Sequence, residues 1–321
     1  MLLLSGSIVF YWVDSAPPAQ VAEKAHRLGV RSLAVKAGDS GILWPQYRAL
    51  SPYLDSFGIE RPAWAYVRPT TLEGDVQVAE AVKEAGAGAY IADMESPYLG
   101  EPEAARLFGR LLRSRLGSDY PIYVTTFSGP GAKPSFPWEE VASWADGLMP
   151  EWYAGAYPGG STEAEAQSAY SALTPFGKPI LPVGPIYGTA TEADVKVLMR
   201  FAQKYDLPAL LWWRWGSSSD SLVRLAASVD LATGKNGRPD PHESQSPVRT
   251  TPAESGRIST EAEATLMKRL DALERRMRAV EQTLGLISKD LRAEASAESQ
   301  EARAATSTLR DLGASEKGGR P

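Results

Sequence analysis

Short apolar runs of five to eight residues alternate along the chain with longer stretches whose apolar positions recur every three or four residues. The first pattern fits a strand covered on both faces, the second an amphipathic helix. The strand-like runs fall at residues 8–13, 32–37, 62–67, 89–95, 121–127, 148–153, 179–183 and 208–215. The helical patterns fall between and after them, at 19–28, 44–57, 72–85, 101–116, 138–145, 162–173, 192–205 and 219–231. Punctuation agrees: Pro17 and Pro18 open the first helix, Gly29 stops it, and Gly86 and Gly88 turn the chain into the fourth strand. Eight strand–helix units in succession predict a parallel sheet with right-handed crossovers. Their number predicts an α/β fold, a (β/α)8 TIM-type barrel over residues 1–232. No G-x-G-x-x-G or phosphate loop follows any strand, which argues against a doubly wound dinucleotide fold.

Beyond residue 232 the alternation stops. Residues 233–257 are rich in Pro, Gly, Ser and charge and read as a flexible linker. Ser259 or Thr260 can then cap a new helix. In it Leu266, Leu270, Leu273, Met277, Val280, Leu284, Ile287 and Leu291 are spaced 4, 3, 4, 3, 4, 3 and 4 apart. That heptad seam predicts a coiled-coil oligomerisation helix over residues 258–312, followed by a disordered tail, 313–321. With Leu270 at position a, Arg269 faces Glu274 and Arg276 faces Glu281 across the seam, which favours a parallel homo-oligomer. Val280 and Ile287 at d favour a trimer or tetramer over a dimer.

The fourth strand, AYIADME, ends in two acids. Alternate side chains of a strand share a face, so Asp93 and Glu95 point the same way, above Ala89 and Ile91. In (β/α)8 enzymes the chemistry gathers at the C-terminal ends of the strands. Those ends carry Asp14, Lys36, Arg68, Asp93 with Glu95, Thr125 with Thr126, Glu151 with Trp152 and Tyr153, Tyr187, and Trp213 to Trp215.

Composition narrows what such a rim can do. The 321 residues include no cysteine and two histidines, His26 in a helical pattern and His242 in the linker. Neither a Ser–His–Asp triad nor a zinc site is expected, no other metal or cofactor is implied, and acid–base work falls to carboxylates, tyrosines or a lysine. A net charge of −5 gives no reason to expect nucleic acid or an anionic membrane as partner. The apolar start lacks a basic leader region and a small-residue cleavage site, and no uncharged run is long enough for a transmembrane helix.

Carboxylates and aromatics at one rim predict a sugar site, because aromatic faces stack on pyranose rings and paired carboxyls can protonate a glycosidic oxygen. Glu95, nearest the mouth, is the candidate acid and Asp93 its deeper partner, with Asp14 a further catalytic candidate. Candidate substrate contacts are Lys36, Arg68, Tyr123, Glu151, Trp152, Tyr153, Trp213 and Trp215. The plainer reading of an isolated D-x-E is a solvated pair at a strand end, and that of each aromatic is packing between strand and helix. Lys36 and Arg68 can equally serve to neutralise the acids.

Four segments carry a family resemblance in their order and spacing: VKAGDSG at 35–41, AYVRP at 65–69, ADME at 92–95 and PIYVTTF at 121–127. Through them the chain resembles family 25 glycoside hydrolases, the lysozyme-type muramidases of phages and bacteria. The resemblance implies a barrel, peptidoglycan as substrate, Glu95 as proton donor with Asp93 beside it, and Asp14 as the first-strand acid. The family's D-V-S reads V-D-S here. Family 18 chitinases also end their fourth strand in D-x-E, but they carry a further Asp where this chain has Ile91, which makes them a more distant match. Two functions follow. One is a glycosidase acting on bacterial cell-wall or related N-acetylated polysaccharide, on a phage virion or released by lysis. The other is an inactive structural or glycan-binding barrel on an oligomeric fibre or virion appendage, with the coiled coil as its stalk.

Overall fold

The computed structural model describes residues 4–13, 16–157, 160–229 and 231. Asp14, the linker, the heptad helix and the C-terminal tail lie outside the described residues. Within them the expected α/β barrel is present.

Eight parallel strands form it: β1 (Gly6–Tyr11), β2 (Leu33–Asp39), β4 (Ala63–Tyr66), β5 (Tyr90–Asp93), β6 (Ile122–Thr126), β7 (Gly147–Pro150), β8 (Val183–Pro185) and β9 (Ala209–Trp213). A two-residue strand, β3 (Ile42–Leu43), folds back antiparallel onto the end of β2. The ladder runs β7-β6-β5-β4-β2-β1-β9-β8. Parallel bridges from Leu148 to Ile180 and from Glu151 to Val183 close the ring between β7 and β8. The seventh barrel strand was expected at 179–183, yet its regular ladder begins only at Val183. Pro179 and Pro182 explain the delay, because neither has an N–H to donate.

Helices α1 (Pro18–Arg27), α2 (Gln46–Ser56), α3 (Leu72–Glu84), α4 (Pro102–Leu116), α5 (Trp138–Trp144), α6 (Thr162–Leu173), α7 (Glu192–Lys204) and α8 (Asp220–Ala227) surround the ring. Their ends follow local chemistry. Thr191 and Asp194 form a reciprocal capping box at the start of α7, and Ser161 and Ser219 cap α6 and α8. No helix among the described residues is long and apolar enough to cross a membrane.

Strand alternation sorts the core into two layers. Val9, Leu33, Val35, Tyr90, Ala92, Val124 and Leu148 pack outward against helices. Ile8, Phe10, Ala34, Trp64, Ala89, Ile91, Tyr123, Met149 and Leu211 fill the inside of the ring. The interior is therefore packed solid below the mouth, so chemistry can occur only at its ends. Asp75, fully buried on α3, ties two of the mouth loops together. It accepts hydrogen bonds from the Gly41 amide (2.6 Å), the Arg68 amide (3.1 Å) and the Thr71 hydroxyl (2.8 Å). The loops can meet there because Gly74 lacks a side chain: a Cβ on it would lie 2.9 Å from the Gly41 Cα.

Candidate active site

Asp93 is the last residue of β5, on the inner face above Ile91, and Glu95 follows on the same side. Glu151, directly after β7, comes in from two strands away. Carboxylate oxygens of Asp93, Glu95 and Glu151 all lie within 4.8 Å of one another. Asp93 is buried and Glu95 and Glu151 are half-buried. Three ionised carboxyls at this spacing would repel strongly, so at least one must hold a proton or share a cation. Burial pushes Asp93 well above the usual carboxylate range, and the neighbouring Glu95 and Glu151 push it further, against Lys36. Burial raises Glu151 well above its ordinary value too, aided by Glu95 and opposed by the hydrogen bond from the Thr125 hydroxyl, 3.3 Å. Glu95 is raised by burial and held down by Lys36. Asp93 Oδ1 has no hydrogen-bond partner among the described residues. By geometry the three oxygens could also hold a hard cation.

The cluster lines a cavity of about 100 Å³, with Phe10, Trp64 and Trp213 from the β1, β4 and β9 side and Thr125 and Tyr153 from the β6 and β7 side. That space holds a few waters or one small substituent of a larger ligand. A larger cavity, about 360 Å³, opens beside Leu4, Glu60, Arg61 and Gly88. It has no comparable convergence of acids, and the Arg61 guanidinium there is already bound by Asp55, the Tyr47 hydroxyl and the Ala85 carbonyl.

Lys36 does not bridge to the catalytic candidates. Its Nζ pairs with Asp39 Oδ2 at 2.6 Å and lies 5.0, 4.6 and 4.9 Å from the ring centroids of Trp12, Trp44 and Trp64. Residues three apart on a regular strand face opposite ways. A register shift in β2 between Lys36 and Gly38 brings Asp39 round to Lys36. Three indole faces and one carboxylate then hold an ammonium that is almost fully buried. Arg68 likewise leaves the acids alone: its Nε donates to Ser40 Oγ, 2.7 Å, and its guanidinium lies over Tyr66.

Of the expected contacts, the structure brings Glu151, Tyr153 and Trp213 to the Asp93 and Glu95 cluster. It does not bring Trp152, Trp215 or Tyr123. Trp152 is fully buried in the outer layer, edge-on to Phe201, with its indole N–H donated to the Ser128 carbonyl. Trp215 is also in the outer layer, beneath Lys24. For Trp152 the alternation itself predicts this, since Trp152 and Glu151 are neighbours and must face opposite ways; Trp215, two residues from Trp213, lies on the outside against that alternation. Tyr123 faces inward but lies one strand layer deeper than Thr125, and its hydroxyl accepts the Leu4 amide at 2.8 Å. Residues passed over in the sequence are Asp39, Trp12, Trp44 and Trp64. Only the motif VKAGDSG pointed at any of them, through Asp39.

The raised carboxyls make stability depend on pH. A carboxyl whose folded pKa lies above its unfolded value, about 4.3 for Glu, stabilises the fold below that value and loses the contribution as pH rises through the folded pKa. Glu151→Gln is therefore expected to raise the melting temperature at pH 8 relative to the parent, with the gap closing near pH 4. A variant that melts lower than the parent at pH 8 and level with it at pH 4 would mean that Glu151 is instead stabilised as its anion.

No protein-family model matches the chain. No curated protein matches it either. Solved structures do match in fold. A chitinase from Chromobacterium violaceum superposes with a TM-score of 0.52 at 12% identity, covering 70% of this chain and 99% of that one. The spore cortex-lytic enzyme SleL of Bacillus cereus gives 0.53 at 13% identity, over 70% and 74% of the two chains. A fungal endo-beta-N-acetylglucosaminidase of glycosyl hydrolase family 18 gives 0.52 at 13%, over 70% and 98%. At such identities the likeness is one of fold, and it defines the protein as a (β/α)8 barrel of the kind these enzymes use.

Proposed function

We propose that the barrel is a glycoside hydrolase acting on an N-acetylated polysaccharide, with bacterial cell-wall peptidoglycan as the foremost candidate. The observation that carries this reading is the convergence of Asp93, Glu95 and Glu151 at the mouth of the ring, with carboxylate oxygens within 4.8 Å and no lysine or arginine ion-paired to them among the described residues. Glu95, two positions nearer the mouth than Asp93 on the same strand face, is the proton donor to the glycosidic oxygen. While Glu95 holds the proton that the coupled pair shares, Asp93 beneath it is the carboxylate that faces the positive charge developing at the sugar. Trp213 and Tyr153, which line the cavity, offer ring faces to a pyranose.

Support from similar folds is partial. The chitinase, the cortex-lytic enzyme and the N-acetylglucosaminidase act, by their names, on chitin, spore cortex and N-acetylglucosamine linkages. They favour an N-acetylated glycan without singling out the muramidase reaction that the family 25 motifs suggest. The heptads of residues 266–291 would multimerise such a barrel and multiply weak contacts with a polymer. A second reading, a barrel that binds glycan without cutting it, is favoured by the small cavity of about 100 Å³. The two are separated by measuring reducing ends released from purified peptidoglycan and from chitin oligomers. Release from either supports the enzyme. Retention of the polymer with no release supports the binding barrel.

A further inference from the structure

The charges at the mouth are segregated around the ring. The three clustered carboxyls stand on β5 and β7, whereas Lys36 lies within β2 and Arg68 and Arg214 lie just past the ends of β4 and β9. Lys36 is buried and matched by Asp39. The two arginines are different. Arg68 is exposed, lies over the Tyr66 ring at 5.1 Å, and bonds through Nε only to the Ser40 hydroxyl. Arg214 is half-buried, lies 4.6 Å from the Trp12 ring centroid and 5.8 Å from that of Trp213, and bonds through Nε to the Ser217 hydroxyl. Neither guanidinium meets a carboxylate among the described residues, and both keep their terminal N–H forks available.

Both are anchored close to the chemistry. Asp75 fixes the backbone of Arg68 against the Gly41 turn. Tyr66, beneath Arg68, pairs in register with Asp93, and Trp213, beside Arg214, lines the cavity of the acid cluster. Each arginine is thus one aromatic ring away from the acid cluster. A guanidinium held flat on an aromatic face loses little further freedom when its fork closes on a planar anion. For a neutral glycan such groups would be of little use. They match a chain that carries carboxylates.

We infer that Arg68 and Arg214 form a carboxylate-recognition site at the barrel mouth, which selects N-acetylated glycans bearing acidic substituents over neutral ones. This rests on the proposed carbohydrate function and deepens it. The acidic group can come from a lactyl or peptide substituent or from a uronate sugar, and the chemistry recognised is the same.

The test uses the full chain carrying Glu95→Gln, so that no bond is cut during titration calorimetry. Three ligands are compared: peptidoglycan glycan fragments with their carboxyls free or blocked as amides, an oligosaccharide alternating uronate with N-acetylhexosamine, and a neutral chitin oligomer. Free carboxyls are expected to tighten binding about tenfold over the blocked form at low salt, with the gain shrinking as ionic strength rises. Adding Arg68→Gln and Arg214→Gln should abolish that gain, so that free and blocked fragments bind alike. Arg68 is exposed and Arg214 half-buried, and melting temperatures check that the variants fold. Preference for only one acidic ligand identifies the source of the carboxylate. Equal affinity for blocked and free fragments together with equal affinity for uronate and chitin oligomers, or a preference that survives in the double variant, overturns the inference. If the chitin oligomer binds as well as any acidic ligand, the carbohydrate reading stands and this one falls. If nothing binds, both fall.

Discussion

Glu95→Gln is expected to lower glycan turnover by about 10²–10⁴-fold, the span general acid catalysis commonly supplies, while the melting temperature changes little. Gln keeps the shape of the side chain and its place in the cavity but cannot give up a proton. Glu95 is also the least constrained of the three acids. Burial raises it, and Lys36 holds that rise in check, whereas burial and neighbouring anions both drive Asp93 and Glu151 well above their ordinary range. A proton donor must release its proton at the working pH, and a group raised too far does so poorly. The measurement is reducing-end release across pH, with glycan affinity as the control for an intact site. Parent-like turnover in Glu95→Gln, paired with loss in Glu151→Gln, would transfer the donor role to Glu151. Parent-like turnover in both would remove the cluster from catalysis.

The second large effect is on stability. Trp64→Ala should cost about 3–5 kcal/mol, as removal of a fully buried large aromatic generally does. Trp64 stands inside the ring on β4, edge-on to Phe10 at 5.7 Å and to Trp213 at 5.4 Å. Its indole N–H donates 3.0 Å to the Tyr11 carbonyl, so truncation removes that hydrogen bond as well as leaving a void. It is also one wall of the tryptophan cage around Lys36, whose buried ammonium would lose a compensating face. Trp44, another wall, is half-buried and has no such interior role, so Trp44→Ala should cost markedly less. Thermal or urea unfolding compares the two. Equal losses would mean that the Lys36 cage they share, not the interior packing of Trp64, accounts for the effect.

Much of this was written in the sequence. A buried parallel strand and an amphipathic helix have different periods, and the chain repeats the pair eight times, so the units, their order and the inward set Ala89, Ile91, Asp93 and Glu95 could be read directly. The same period-two rule assigned Ala34 to the inside of β2 and Leu33 and Val35 to the outside. Where reading by motif neglected that rule, it erred: Trp152 follows Glu151 and so must face the helices.

What the sequence could not contain is set by distances between residues far apart in the chain. Glu151 joins Asp93 and Glu95 only because ring closure brings β7 within reach of β5, and no local pattern encodes how far a side chain projects across a barrel mouth. Asp39 reaches Lys36 only through a one-residue register shift, which depends on how β2 must pair with β4 on one side while turning into β3 on the other. The cage of Trp12, Trp44 and Trp64 collects one indole from the end of each of three neighbouring segments. Local periodicity follows from backbone geometry that every strand and helix shares. Convergence follows from closure of the whole ring, and so only the tertiary structure could decide which charges meet.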